Sequence, residues 1–133
     1  MIVILDVCAA MEVAFKRRKY AIVAKAMRDA DAIAAPDLFT AEAANVVWKE
    51  HVFGRQPYDD CLDAYRDAIS FVTSFQPTSE LALEAIDIAC RAKIPVYDSL
   101  YITLAKRLGG YLLTIDRKMI EAAAGASARV LDL

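Results

Sequence analysis

The chain has 133 residues, 58% of them hydrophobic and 26% charged, with 16 Lys and Arg against 18 Asp and Glu. The length suits a single domain over residues 1–133, the apolar share excludes disorder, and four Gly and four Pro are too few for long linkers or fibrous repeats. A net charge of −2 gives no global basic field for nucleic acid, so a polyanionic partner needs a local patch or metal ions.

The opening run Met1 to Leu5 is apolar throughout, as in a strand buried on both faces, and ends at Asp6. It is far shorter than the roughly 20 residues of a membrane span and lacks the form of a signal peptide, so no membrane or export signal is expected. Ile22, Val23, Ala26, Met27 and Ala30 then recur at helical spacing, and Ala32 to Ala35 form a second short strand stopped by Pro36. Thr40 predicts the cap of a helix running to about Val52, ended by Gly54 and Pro57. Leu62, Tyr65 and Ile69 mark the buried stripe of the next helix, and Phe71 to Phe75 read as a third strand. A helix capped by Thr78 or Ser79 closes with Arg91 and Lys93 before Pro95. Leu100, Leu104 and Leu108 share one face of another, which ends at Gly109-Gly110. Tyr111 to Ile115 give a fourth strand, residues 117 to 124 a short helix, and Ala128 to Leu131 a fifth strand. Alternation of strands and helices predicts an α/β fold, a mostly parallel sheet with helices on both faces.

Many chemistries are absent. There is no G-x-G-x-x-G, no G-x-x-x-x-G-K-[ST] and no G-x-S-x-G. The single histidine, His51, leaves little room for Ser-His or Cys-His catalysis. Cys8, Cys61 and Cys90 are odd in number and far apart, which predicts free thiols in a reducing cytoplasm; no C-x-x-C pair offers a zinc site.

The acids carry the signal. Asp6 follows the first strand and Asp116 the fourth, and ligands of open parallel sheets bind beyond the carboxyl ends of the strands. Asp98 opens the Leu100–Leu108 helix, and Glu42 is placed in the first turn of the helix after Pro36. Singly, each has an ordinary structural explanation as a helix cap or a first-turn charge. Jointly, carboxylates that converge repel one another unless a cation lies between them, and an oxygen-only donor set suits Mg²⁺ or Mn²⁺. A D-x-D phosphatase start is missing, because position 8 is Cys, and Phe75-Gln76-Pro77 offers no acceptor aspartate of a phospho-receiver domain.

Asp6 in I-L-D-V-C, Glu42 in P-D-L-F-T-A-E-A-A-N-V-V-W-K, Asp98 in P-V-Y-D-S-L-Y-I-T-L-A and Asp116 in L-L-T-I-D-R-K resemble the four acidic positions of the PIN domain, most closely the VapC-type toxin ribonucleases. The resemblance implies a three-layer α/β/α fold around a five-stranded parallel sheet. It also implies Mg²⁺- or Mn²⁺-dependent endonucleolytic cleavage of RNA, with Asp6, Glu42, Asp98 and Asp116 as the catalytic and metal-binding carboxylates. A cognate antitoxin and a homodimer are the expected protein partners. Asn45, one turn from Glu42, looks like the family's polar helper, and Thr114, two residues before Asp116, like its usual hydroxyl. Cys8 departs from the Ser or Thr common two residues after the first Asp, and a thiol is a weaker donor. A free-standing RNA-processing nuclease and a non-catalytic PIN-like binding module are the competing readings; degenerate modules usually lose acids, and all four stand here.

Lys49, Arg117 and Lys118 lie close in sequence to the acids and are the better candidates for contacts to the RNA backbone, while Lys16-Arg17-Arg18-Lys19 reads either as a solvated turn between two helices or as a phosphate contact near the active groove. Trp48 and the Tyr97/Tyr101 pair are candidates for stacking on bases or for the core. Val46-Val47-Trp48 and the Phe71–Phe75 region are candidate apolar surface for an antitoxin helix or a second subunit.

Overall fold

The structure is a computed structural model that describes all 133 residues. Five strands, β1 (Ile2–Leu5), β2 (Ala32–Pro36), β3 (Ser74–Gln76), β4 (Tyr111–Leu113) and β5 (Arg129–Val130), form one sheet in the order β3-β2-β1-β4-β5. Every pairing is parallel. Seven helices connect them: α1 (Val7–Ala14), α2 (Tyr20–Arg28), α3 (Leu38–Val52), α4 (Tyr58–Ser70), α5 (Thr78–Ala92), α6 (Val96–Leu108) and α7 (Arg117–Gly125).

The strand order fixes the layers. From β1 the chain steps outward to β2 and β3, then returns past β1 to β4 and β5. Parallel crossovers are right-handed, so the two directions of travel place α1–α4 on one face and α5–α7 on the other. The contacts follow that division: α1 meets α2, α3 and α4, whereas α6 meets α5, α7 and the strands β1, β2 and β4. The order reverses between β1 and β4, and the carboxyl ends of those two strands carry Asp6 and Asp116.

A continuous apolar core of 29 buried residues holds the layers together. Val3, Ile4 and Leu5 are buried on both sides of β1, as the uninterrupted apolar run requires. Buried residues recur one turn apart on α3 (Phe39, Ala43, Val47) and on α5 (Leu81, Ala85, Ala89). In α6 every residue from Ser99 to Ala105 is buried, because the sheet covers one side and α5 another. Its polar members are satisfied internally. Ser99 Oγ donates to the Ala85 carbonyl at 2.7 Å, and Thr103 Oγ1 to the Ser99 carbonyl at 2.8 Å.

Some boundaries differ from the sequence expectation. α3 begins at Leu38, before Thr40, whose hydroxyl donates back to the Asp37 carbonyl. Glu42 thus lies in the second turn, where the helix dipole no longer explains it. The third strand is Ser74–Gln76, because Phe71 closes α4 and Val72 follows in a turn, both packed against the core. Phe71, Val72 and Phe75 are partly buried against the core, and Thr73 and Ser74 between them are exposed. β4 stops at Leu113, since Thr114 Oγ1 accepts from the Asp116 N–H at 3.1 Å and turns the chain into α7.

Gly110 sits where α6 gives way to β4, and a Cβ there would lie 2.5 Å from Ile4 Cδ1 and 2.8 Å from the Ile2 carbonyl oxygen. Gly110→Ala is expected to wedge β4 from β1 and cost about 1–3 kcal/mol, seen as a lower unfolding midpoint in urea. A midpoint equal to that of the unaltered protein would contradict the close β1–β4 approach.

Candidate active site

Asp6 is the last rung between β1 and β4. Its main-chain N–H donates to the Leu113 carbonyl at 3.0 Å, and its side chain turns into a nearly closed position, 6% exposed. Oδ2 accepts from Cys8 Sγ at 2.6 Å and from Thr114 Oγ1 at 2.8 Å. Burial pushes the Asp6 pKa up; the Cys8, Thr114 and Val7 donors oppose the shift, and the Asp116 charge adds to it. Cys8 is itself pushed up to about 12, first by burial and then by the Asp6 charge. It therefore remains a protonated donor at neutral pH and does for Asp6 what a hydroxyl would do. Thr114, fully buried, bonds both the Asp6 carboxylate and the Asp116 N–H, so one hydroxyl ties the two strand ends together.

Glu42 projects from α3 and accepts the Tyr101 hydroxyl at Oε1, 2.6 Å away. Burial raises it to about 6; the Tyr101 bond opposes that rise, and the Asp6 and Asp98 charges add to it. Tyr101 is completely buried, and its own pKa is driven far up by burial and by Glu42, so it stays a donor. Asp98 lies in the first turn of α6 without capping it, and is raised by burial and by the Asp6 and Asp116 charges. Asp116 caps α7: Oδ1 accepts from the N–H groups of Lys118 at 2.9 Å and Met119 at 3.4 Å.

All four acids line one cleft of about 390 Å³, together with Asn45, Lys49 and Arg17. None is ion-paired. Six salt bridges exist in the molecule, and Asp6, Glu42, Asp98 and Asp116 belong to none of them; of the two cations that line the cleft, Arg17 is paired with Glu50 at 2.5 Å and Lys49 is in no salt bridge. The donor set is oxygen-only and uncompensated, which fits a hard divalent cation. As they stand, no three of the side chains form a ready-made coordination sphere. Holding an ion requires the acids to draw together, and mutual repulsion opposes this until a cation is present.

Other expected residues are placed differently. Arg117 and Lys118 do not line this cleft, and Lys118 lines a separate groove among α5, α6 and α7. Trp48 and Tyr97 are exposed, 51% and 62%, whereas Tyr101 is sealed in the core and has no face for a base. The sequence reading missed the hydrogen bond from Tyr101 to Glu42. Its available signal was spacing: Tyr101 follows Asp98 by three residues and so shares its side of α6.

A family model described as PIN domain matches residues 3–125. The chain belongs to the PIN domain family. It is 30% identical to Ribonuclease VapC3 of Pyrobaculum aerophilum over 99 residues, which are 73% of this chain and 76% of that protein, and it is of the VapC type. The fold matches the crystal structure of PAE2754 from Pyrobaculum aerophilum with a TM-score of 0.71, covering 92% of this chain and 87% of that one at 23% identity. At that identity the likeness shows the fold, a three-layer α/β/α PIN architecture.

The raised acids set a pH dependence. A carboxyl whose folded pKa lies above its unfolded value stabilises the fold in its protonated form, and that stability is lost as pH rises through the folded pKa. For Glu42 the window runs from its ordinary 4.5 to about 6. In EDTA, Glu42→Gln is expected to lose less melting temperature between about pH 5 and about pH 7 than the unaltered protein. Equal losses in both would show that burial and the neighbouring acids do not raise the Glu42 carboxyl in the fold.

Proposed function

We propose that this chain is a metal-dependent endoribonuclease and the toxin of a toxin–antitoxin pair, acting in the cytoplasm as a single domain. The observation that carries the reading is the convergence of Asp6, Glu42, Asp98 and Asp116 in one cleft with no cationic side chain paired to any of them. The relative named Ribonuclease VapC3 supports RNA as the substrate. The four carboxylates would hold Mg²⁺ or Mn²⁺. When bound, such an ion neutralises charge on the scissile phosphate and makes a water acidic enough to attack it near neutral pH.

The chain's own residues do the rest. Thr114 and Cys8 fix the Asp6 carboxylate by donating to the same oxygen, Oδ2. Tyr101 holds Glu42 by Oε1, which leaves Oε2 to accept the proton of the attacking water. Asn45 and Lys49, both exposed beside the acids, are placed to contact the RNA strand as it enters. In-line attack on the phosphodiester then leaves a 5′-phosphate and a 3′-hydroxyl.

Two apolar surfaces suit the protein partners. Between α3 and α4 lies a groove of about 310 Å³ lined by Val47, Trp48, Tyr58, Leu62 and Tyr65, with Phe53 exposed beside Trp48, and this is the seat we assign to an antitoxin helix. Leu83 and Ile86 stand exposed on α5 and supply an apolar patch for a homodimer. The three free cysteines suit a reducing compartment.

Purified protein and a mixed RNA pool provide the test. Cleavage is expected with Mg²⁺ or Mn²⁺ and not with EDTA, and Asp98→Asn is expected to lower it by at least about 100-fold while the melting temperature of the metal-free protein is kept or raised. Cleavage that persists in EDTA, or survives Asp98→Asn, would contradict the proposal.

A further inference from the structure

A second concavity, about 810 Å³, lies where the α5–α6 junction faces α7 and is roughly twice the size of the acid cleft. Its charge is the reverse. Lys93, at the left-handed end of α5 (φ 56°), Lys106 in the last turn of α6 and Lys118 in the first turn of α7 all line it, and none is engaged in a salt bridge. Arg91 is also there but is paired with Asp87 at 3.1 Å, and Glu121 is the one unpaired acid. Three free lysines from three separate elements thus face one groove in a protein whose overall charge is −2.

The lining also defines the ligand. No aromatic ring reaches the groove, and its apolar part consists of small or aliphatic residues such as Ile94 and Ala122. Bases have nothing to stack on, whereas lysines with aliphatic stems suit a chain of phosphates. The groove is tied to the acid cleft through the backbone. Lys118 lines the groove while its own N–H holds Asp116 in the cleft at 2.9 Å, and Lys93 precedes Asp98 by one short turn.

We propose that this groove binds the sugar–phosphate backbone of single-stranded RNA flanking the scissile bond, without reading sequence, and so keeps a polyanion beside a cluster of acids that would otherwise repel it. The inference rests on the ribonuclease reading and extends it to a second site. Lys118 serves RNA from this groove, and Lys49 serves it from the acid cleft.

The experiment measures binding of a fluorescein-labelled single-stranded RNA of mixed sequence to the full chain in EDTA, across a salt series. A parallel cleavage assay of the same RNA is run with Mn²⁺. The variant Lys93→Gln with Lys106→Gln and Lys118→Gln removes the groove charges. Lys25→Ala with Arg28→Ala and Arg66→Ala removes three exposed charges on α2 and α4. The groove variant is expected to bind at least about tenfold more weakly at low salt and to lower the slope of log affinity against log salt by about two, at roughly 0.7 per phosphate contact. The α2/α4 variant is expected to keep both the affinity and most of the slope. Equal binding by the groove variant and the unaltered protein, with Mn²⁺-dependent cleavage intact, would overturn the groove and leave the ribonuclease. Neither binding nor cleavage by the unaltered protein would overturn both. Circular dichroism of the groove variant checks that the fold is kept. If it is not, Lys106→Gln and Lys118→Gln tested singly must each weaken binding, and failure of either to do so overturns the groove.

Discussion

A carboxylate buried at the reversal of strand order, with no cation beside it, is the constraint around which this molecule is arranged. Asp6 sits at the end of the most deeply buried strand and is 6% exposed. Burying an unpaired charge is costly unless donors or a counter-ion compensate. The compensation on hand is partial, two donors on one oxygen, and three further acids face the same cleft. An apolar core of 29 residues, closed by helices on both faces of the sheet, offsets that cost elsewhere. Function follows from the remainder. On the proposed reading, a cluster that the fold holds together against its own repulsion would gain stability from a divalent cation that binds only the folded form.

Two of the four acids are held by neighbouring side chains and a third by main-chain amides. Thr114 and Cys8 fix Asp6, Tyr101 fixes Glu42, and the amides of α7 fix one oxygen of Asp116. Asp98 has only its position at the start of α6. On the proposed reading, Asp98 would be the acid with most freedom to rotate toward an ion, with Asp6 and Glu42 as fixed reference points. The thiol at position 8 fits the same logic, since a group held protonated by its surroundings donates whether it is oxygen or sulfur.

Much of this was legible in the sequence. The run Met1 to Leu5 announces a strand buried on both faces, and Asp6 and Asp116 follow their strands directly, so the edge they share could be read before any coordinates. The supporting residues could not. Tyr101 lies in a stretch of α6, Ser99 to Ala105, that is buried throughout, and its hydroxyl looks incidental until α3 brings Glu42 against it. Phe71 and Val72 carry a β-like pattern but are claimed by the end of α4, because tertiary packing overrides local propensity. Lys118 is close to Asp116 in sequence, yet its side chain lines the neighbouring groove and not the acid cleft. Asp116, as the cap, faces the cleft, and two residues further on the helix turns its side chains toward α5 and α6.

Separation of charge within one small domain then explains how an acidic protein would meet a polyanion. The four acids gather in one cleft, and three of the unpaired lysines, Lys93, Lys106 and Lys118, gather in a separate groove. The central claim is that the acid cleft is a divalent cation site, and calorimetric titration of Mn²⁺ into the metal-free protein tests it most directly. The account predicts saturable binding of one or two ions per chain, weakened at least about tenfold by Asp6→Asn. Absence of saturable binding, or binding to Asp6→Asn as tight as to the unaltered protein, would contradict it.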